Sequence, residues 1–233
     1  MQMKRTIHLK KLDLMSSVAA ADSVVVLIIG RRSTGKSVLA MDVLRAAGFV
    51  GGDADPAKAR GAIFSPTDAC APFYGPAFAD APGVRVFVEY SPSWLPVDDG
   101  GSGGDEASRS FVVLDNCMYN SDWANGREIN ELFANARRTR TTVVLTIPYP
   151  LGLPPFMQSY VDYVFMLREH NVSCLRRLRE QYAPVFEDLD TFFGVMDDVT
   201  QDQGACVVID NAPKSSQLED HVFWYAAVAI VAD

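Results

Sequence analysis

The chain has few cysteines, only Cys70, Cys117, Cys174 and Cys206, and no two stand as a C-x-x-C pair. Scattered thiols exclude a disulfide framework and read as free, reduced side chains rather than a zinc site. No apolar run reaches the ~20 residues of a membrane-spanning helix; the longest near the N-terminus stops at Ile29. The opening stretch, MQMKRTIHLKKLDLM, carries charges throughout and lacks the apolar block of a signal peptide. The chain is therefore expected to stay in the compartment where it is made. No internal repeat is visible. Excess positive charge is also lacking. The formal net charge of −8 argues against a polyanion binder that works by global attraction. Two local basic clusters remain, Arg137-Arg138-Thr139-Arg140 and Arg176-Arg177-Leu178-Arg179, and each reads equally as a nucleic-acid contact or as a solvated helix end. What is present is the composition of an ordinary globular protein, 48% apolar and 21% charged over 233 residues, enough for one substantial core or two small ones.

The most informative stretch is Gly30-Arg31-Arg32-Ser33-Thr34-Gly35-Lys36-Ser37. It follows the unbroken apolar run Val24 to Ile29 and leads into the helix-like Val38 to Leu44. A strand, a loop bounded by glycines, a Lys-Ser pair and a helix are the parts of a phosphate-binding P-loop. Backbone N–H groups of such a loop wrap the phosphates, so side chains must be absent at Gly30 and Gly35. The helix N-terminus adds partial positive charge. Lys36 is expected to reach the terminal phosphates and the Ser37 hydroxyl to sit on Mg²⁺.

Strand and helix patterns alternate along the rest of the chain. Residues 4–14 read as a short N-terminal strand or arm, and Ala19 to Ser23 as a turn. Further strands are expected at Ala62 to Phe64, Val84 to Tyr90, Phe111 to Leu114, Thr142 to Ile147, Tyr160 to Leu167 and Cys206 to Ile209, with Val222 to Val231 closing the chain. Helices are expected after the P-loop, ending at Gly48; from Ile129 to Ala136, with Asn125 and Glu128 as a capping pair; around Leu175 to Tyr182, stopped by Pro184; and around Phe186 to Met196. Residues 96–110 (PVDDGGSGGDEASRS) have almost no apolar content and read as a flexible insertion within one domain spanning the chain. The pattern predicts an α/β protein with a mostly parallel central sheet.

A P-loop needs a carboxylate at the tip of another strand to hold Mg²⁺ through water. Asp115 (VVLD) and Asp210 (VVID) both qualify by type. Asp115 is preferred: it lies about 80 residues after Lys36, which leaves room for an intervening strand and helix, and a helix and a buried strand follow it. In fast P-loop ATPases a carboxylate just after this Asp polarises the attacking water. Here the position holds Asn116, whose amide orients water but accepts no proton. The run Thr142 to Ile147 is expected to lie between the P-loop strand and the Asp115 strand. Its tip carries Pro148, with Thr146 and Tyr149 nearby as polar substitutes. Arg137 and Arg138 precede that strand. They read either as arginine fingers toward a γ-phosphate, of their own or a neighbouring subunit, or as a basic helix C-terminus.

At this point the chain resembles the genome-packaging ATPases of nucleocytoplasmic large DNA viruses, the poxvirus and giant-virus branch of the FtsK–HerA superfamily. The matching stretches are GRRSTGKS (30–37), SPTD (65–68), FVVLDN (111–116), ELFANARR (131–138), LTIPYPLGLPP (145–155), VDYVF (161–165) and VIDNAPKSSQLEDHVFWY (208–225). The resemblance implies an ASCE-type (RecA-like) three-layer P-loop NTPase that binds ATP and Mg²⁺, forms a homo-oligomeric ring and pumps double-stranded DNA into a capsid beside other packaging proteins. It implies a place in the host cytoplasm or virus factory, and in virions. It implies that Lys36, Asp115, Asn116 and Arg137 serve catalysis, with Ser37 and Asp115 toward the metal, and that Arg137 matches the arginine of an N-G-R-H motif. The chain departs from the pattern at Asn116, at Pro148 in place of the Gln of T-x-Q-Y-P, and at Ala136 and Arg138. A diverged paralogue that binds ATP and hydrolyses it slowly is the alternative; a small-molecule P-loop kinase, with Arg176, Arg177 and Arg179 as lid residues, is a third reading.

Overall fold

The computed structural model describes residues 8–52, 54–66, 71–91, 95, 109–117, 126–150 and 153–227. In chain order its elements are β1 (Lys10–Lys11), α1 (Leu14–Ala19), β2 (Val25–Ile29), α2 (Lys36–Ala46), β3 (Arg60–Phe64), α3 (Ala71–Tyr74), a 3₁₀ turn (Gly75–Phe78), β4 (Gly83–Phe87), β5 (Ser110–Asp115), α4 (Arg127–Asn135), β6 (Thr141–Ile147), α5 (Pro155–Gln158), β7 (Tyr163–Leu167), α6 (Val172–Tyr182), α7 (Leu189–Val199), β8 (Ala205–Asp210), α8 (Leu218–His221) and β9 (Val222–Ala226).

All nine strands join one sheet in the order β1-β9-β8-β7-β2-β6-β5-β3-β4. The pairs from β7 through β4 are parallel, as is β1 with β9, whereas β8 runs antiparallel to both β7 and β9. β2 is wholly buried because both its faces are covered. Val25, Leu27 and Ile29 meet Ile129, Phe133, Leu178 and Phe192 of α4, α6 and α7. Val26 and Ile28 on the other face meet Leu14, Leu39, Val43 and Tyr74 of α1, α2 and α3. An unbroken apolar strand is what burial on both faces requires, and the result is the expected three-layer α/β sandwich with a mostly parallel sheet.

The local differences have local causes. The N-terminal strand is two residues long. The next stretch is a helix, because Asp13 caps it by accepting from the Ser16 backbone N–H and hydroxyl. α2 ends as expected, with Gly48 at φ 77° just past the Ala47 cap. Gly126, rather than Asn125, is the cap residue of α4, and Glu128 sits in its first turn; Asn125 lies outside the described residues. So do 96–108 of the expected insertion, while Ser110 already belongs to β5. β9 is described to Ala226, and residues 228–231 of the closing run are outside.

α6 starts where Asn171 accepts from the backbone N–H groups of Ser173 and Cys174. Asn171→Ala should lower stability by about 1 kcal/mol, read as a fall of a few degrees in thermal melting midpoint; an unchanged midpoint would show that tertiary packing alone sets the helix start. At its other end Arg179 donates to the carbonyls of Phe186 and Glu187. That bond pattern ties α6 to the segment before α7 and gives Arg179 a structural task.

Candidate functional site

The loop after β2 is shaped by two glycines. A Cβ on Gly30 would stand 2.7 Å from both Leu167 Cβ and Thr34 Oγ1, a spacing no side chain survives. Gly35 caps α2 at φ 103°, a backbone state that L side chains rarely adopt. Ser33 also has positive φ, 64°. The loop closes on itself: Thr34 Oγ1 and Lys36 Nζ both donate to the Arg31 carbonyl, at 2.8 and 2.9 Å. Arg31, Arg32 and Ser33 are exposed, and Thr34, Gly35, Lys36 and Ser37 are half-buried. The stretch thus holds its backbone at the N-terminus of an 11-residue helix, where the helix dipole favours an anion.

Register places Asp115 at the same end of the sheet. β6 lies between β2 and β5, as expected, with Asp115 opposite Thr146 and Ile29 opposite Ile147. Asp115 is 2% exposed, and three hydroxyls satisfy it. Ser37 Oγ and Tyr74 OH each donate to Oδ2 at 2.8 Å, and Thr146 Oγ1 donates to Oδ1 at 2.5 Å. The P-loop serine and the strand-tip aspartate, 78 residues apart, are therefore in direct contact. Asp210 is not a competitor. β8 runs antiparallel to β7, and Asp210 pairs with Tyr163 at the other end of the sheet.

Asn116 stands one residue beyond Asp115 with φ 57°. Its backbone N–H is held by the Thr146 carbonyl and hydroxyl, at 3.2 and 3.1 Å. Asn is the ordinary side chain that best tolerates this left-handed backbone, so the local geometry accounts for an amide where the resemblance expects an acid. Pro148 is half-buried and Tyr149 is 49% exposed. Of the two polar substitutes named for Pro148, Thr146 is fully buried and engaged with Asp115.

Arg137 is not part of this cluster. It precedes β6, so it lies at the end of the parallel strands where β2 begins, about 13 Å of strand away from the loop. There it pairs with Asp162, whose other oxygen accepts from the Val25 N–H at 2.8 Å. The tail motif gathers at this same edge: Asn211 donates from its backbone to the Asp162 carbonyl and from its side chain to the Val161 carbonyl. The reading of Arg137 as a finger toward its own subunit's γ-phosphate is corrected by this topology. Arg138 is at the same edge and bonds Asn135. Arg137 keeps 78% of its side chain exposed, so it faces outward from this edge.

Two further residues near Asp115 were not among the candidate site residues, although Ser65 opens the SPTD stretch. Tyr74, fully buried on a four-residue helix, comes from a segment with no spacing rule that links it to Asp115. Ser65 follows Phe64, the partner of Leu114, so it sits beside Asp115 in register; its buried Oγ has no hydrogen-bond partner among the described residues.

No family model matches the chain. Among curated proteins it is 33% identical over 118 residues to the uncharacterized protein L437 of Acanthamoeba polyphaga mimivirus, covering 50% of this chain and 41% of that one. It is 32% identical over 152 residues to the uncharacterized protein 015R of Frog virus 3, covering 63% and 47%. The chain thus spans less than half the length of these relatives. Its backbone superposes on the genome packaging NTPase B204 of Sulfolobus turreted icosahedral virus 2, solved with ATP-gammaS, with a TM-score of 0.57 over 89% of this chain and 99% of that one. The fold is that of a P-loop ATPase. At 14% identity the likeness speaks to the fold alone. Among the described residues no helix is long and apolar enough to cross a membrane.

Proposed function

We propose that this chain is an ATP-dependent motor that acts on double-stranded viral DNA during genome packaging. The single observation that carries the reading is the contact of Ser37 Oγ with Asp115 Oδ2 at the mouth of the 30–37 loop. Mg²⁺ fits that pair. The ion takes one or two protein oxygens and leaves its other positions to water and phosphate, and a hydroxyl and a carboxylate meeting beside a helix N-terminus are such a donor set. Among the described residues no cluster of three His, Cys, Asp or Glu side chains competes for a metal. When bound, Mg²⁺ would neutralise charge on the β- and γ-phosphates.

The chain's own residues then divide the work. Loop N–H groups and Lys36 hold the phosphates, Ser37 and Asp115 hold the ion, and Asn116 orients water without taking its proton. Arg137, exposed at the far edge, serves the nucleotide of a neighbouring subunit in a ring. The packaging NTPase B204 shares this fold and the curated relatives are viral proteins, which supports a role in viral genome packaging; on this reading the chain works beside capsid proteins, in the host cytoplasm or virus factory and in virions. The amide at Asn116 favours a second reading, a packaging subunit that binds ATP and turns it over slowly.

Duplex DNA should raise the Mg²⁺-dependent rate of ATP hydrolysis severalfold over the protein alone. Hydrolysis indifferent to DNA would remove the motor reading, and nucleotide binding without hydrolysis would select the second one.

A further inference from the structure

Asp115 has more partners than a water-mediated metal ligand needs, and they differ in kind. Ser37 Oγ donates to Oδ2 at 2.8 Å, and in the proposed nucleotide complex one of its lone pairs faces Mg²⁺ while its hydrogen stays on the carboxylate. Thr146 Oγ1 holds the other oxygen, Oδ1. The second donor on Oδ2 is Tyr74 OH, also at 2.8 Å. Tyr74 is 0% exposed and reaches Asp115 from a different layer of the fold, 41 residues earlier in the chain. Its ring is braced edge-on against Phe73, with centroids 5.2 Å apart, and its helix runs directly into the 3₁₀ turn that carries buried Phe78. A phenol fixed this way has little freedom to follow the carboxylate; the carboxylate must follow the phenol.

We propose that Tyr74 is a positioning residue of the Mg²⁺–nucleotide site, holding Asp115 Oδ2 where it meets Ser37 and the ion. The inference rests on the nucleotide reading above. Thr146 and Tyr74 then form a fixed pair, one donor per carboxylate oxygen, while Ser37 links Oδ2 to the ion. Groups that orient a ligand in this way are commonly worth at least tenfold in metal affinity.

The test is Tyr74→Phe, which removes one oxygen and keeps the ring. Binding of a fluorescent ATP analogue is measured in EDTA and across a Mg²⁺ titration, with thermal melting to confirm the fold. The expected result is unchanged affinity in EDTA, about tenfold weaker binding in Mg²⁺, and a Mg²⁺ midpoint raised by about the same factor. Equal affinity to wild type in both conditions overturns the proposal. So does an equal loss in both, since the hydroxyl would then act on the loop or the fold rather than toward the ion. A wild-type protein whose nucleotide binding ignores Mg²⁺ overturns the parent reading and this one with it, and is told apart by the wild-type curve alone.

Discussion

Lys36→Ala is expected to weaken ATP binding and to cut turnover by about 10²- to 10³-fold, to background. The reason is position. Lys36 is the first residue of α2, directly after the left-handed Gly35, and its ammonium lies over the loop, 2.9 Å from the Arg31 carbonyl. A γ- or β-phosphate oxygen placed in the loop would replace that carbonyl with a charged acceptor, a substantially stronger partner. The side chain is half-buried, so its truncation should leave the melting midpoint nearly unchanged. Equilibrium binding of ATP to wild type and variant checks this. Equal affinities would mean that Lys36 does not hold phosphate, whatever its place in the motif.

Asn116→Asp should raise the rate of hydrolysis by about 10²-fold with little change in nucleotide affinity. The substitution supplies a proton acceptor one residue beyond Asp115 at the same side-chain length. Asp is the appropriate acid because φ is 57° there. Asp tolerates the left-handed region nearly as well as Asn, whereas Glu would add backbone strain on the order of 1 kcal/mol. Single-turnover hydrolysis with saturating Mg²⁺-ATP separates the chemical step from binding. An unchanged rate for Asn116→Asp would show that this side chain does not face the attacking water, and the slow-hydrolysis reading would need another cause.

The loop-bearing half of the fold was legible because its signals are local. A β-branched run, a glycine-bounded loop and a capped helix occupy consecutive residues from Val24 to Leu44, and the structure returns them as β2, the loop and α2. Asp115 was separable from Asp210 by chain order, and the structure adds the physical reason: β8 is antiparallel to β7, so the tip of VVID points away from the loop. Strand direction is set by pairing between distant segments and leaves no mark in the period-two pattern of a short run. The helix at Leu14–Ala19 was missed because its six residues offer too little periodicity, although Asp13 and Ser16 held the capping signal.

Of the alternatives open for Arg137, reach to its own subunit's nucleotide could have been set aside from the sequence. In a parallel sheet a residue just before a strand lies at the edge opposite to residues that follow strands, and Arg137 precedes β6 while Gly30 follows β2. Tyr74 was beyond reach. Its bond to Asp115 joins a four-residue helix to a strand tip across a layer, and only folding brings the two together.

The central claim is that Gly30–Ser37 and Asp115 form one Mg²⁺-nucleotide site. The most direct measurement is calorimetric titration of the purified chain with ATP-gammaS, with Mg²⁺ and then with EDTA. The account predicts one nucleotide bound per chain and at least tenfold tighter binding with Mg²⁺ than with EDTA. No binding in either condition, or binding that Mg²⁺ leaves untouched, would contradict it.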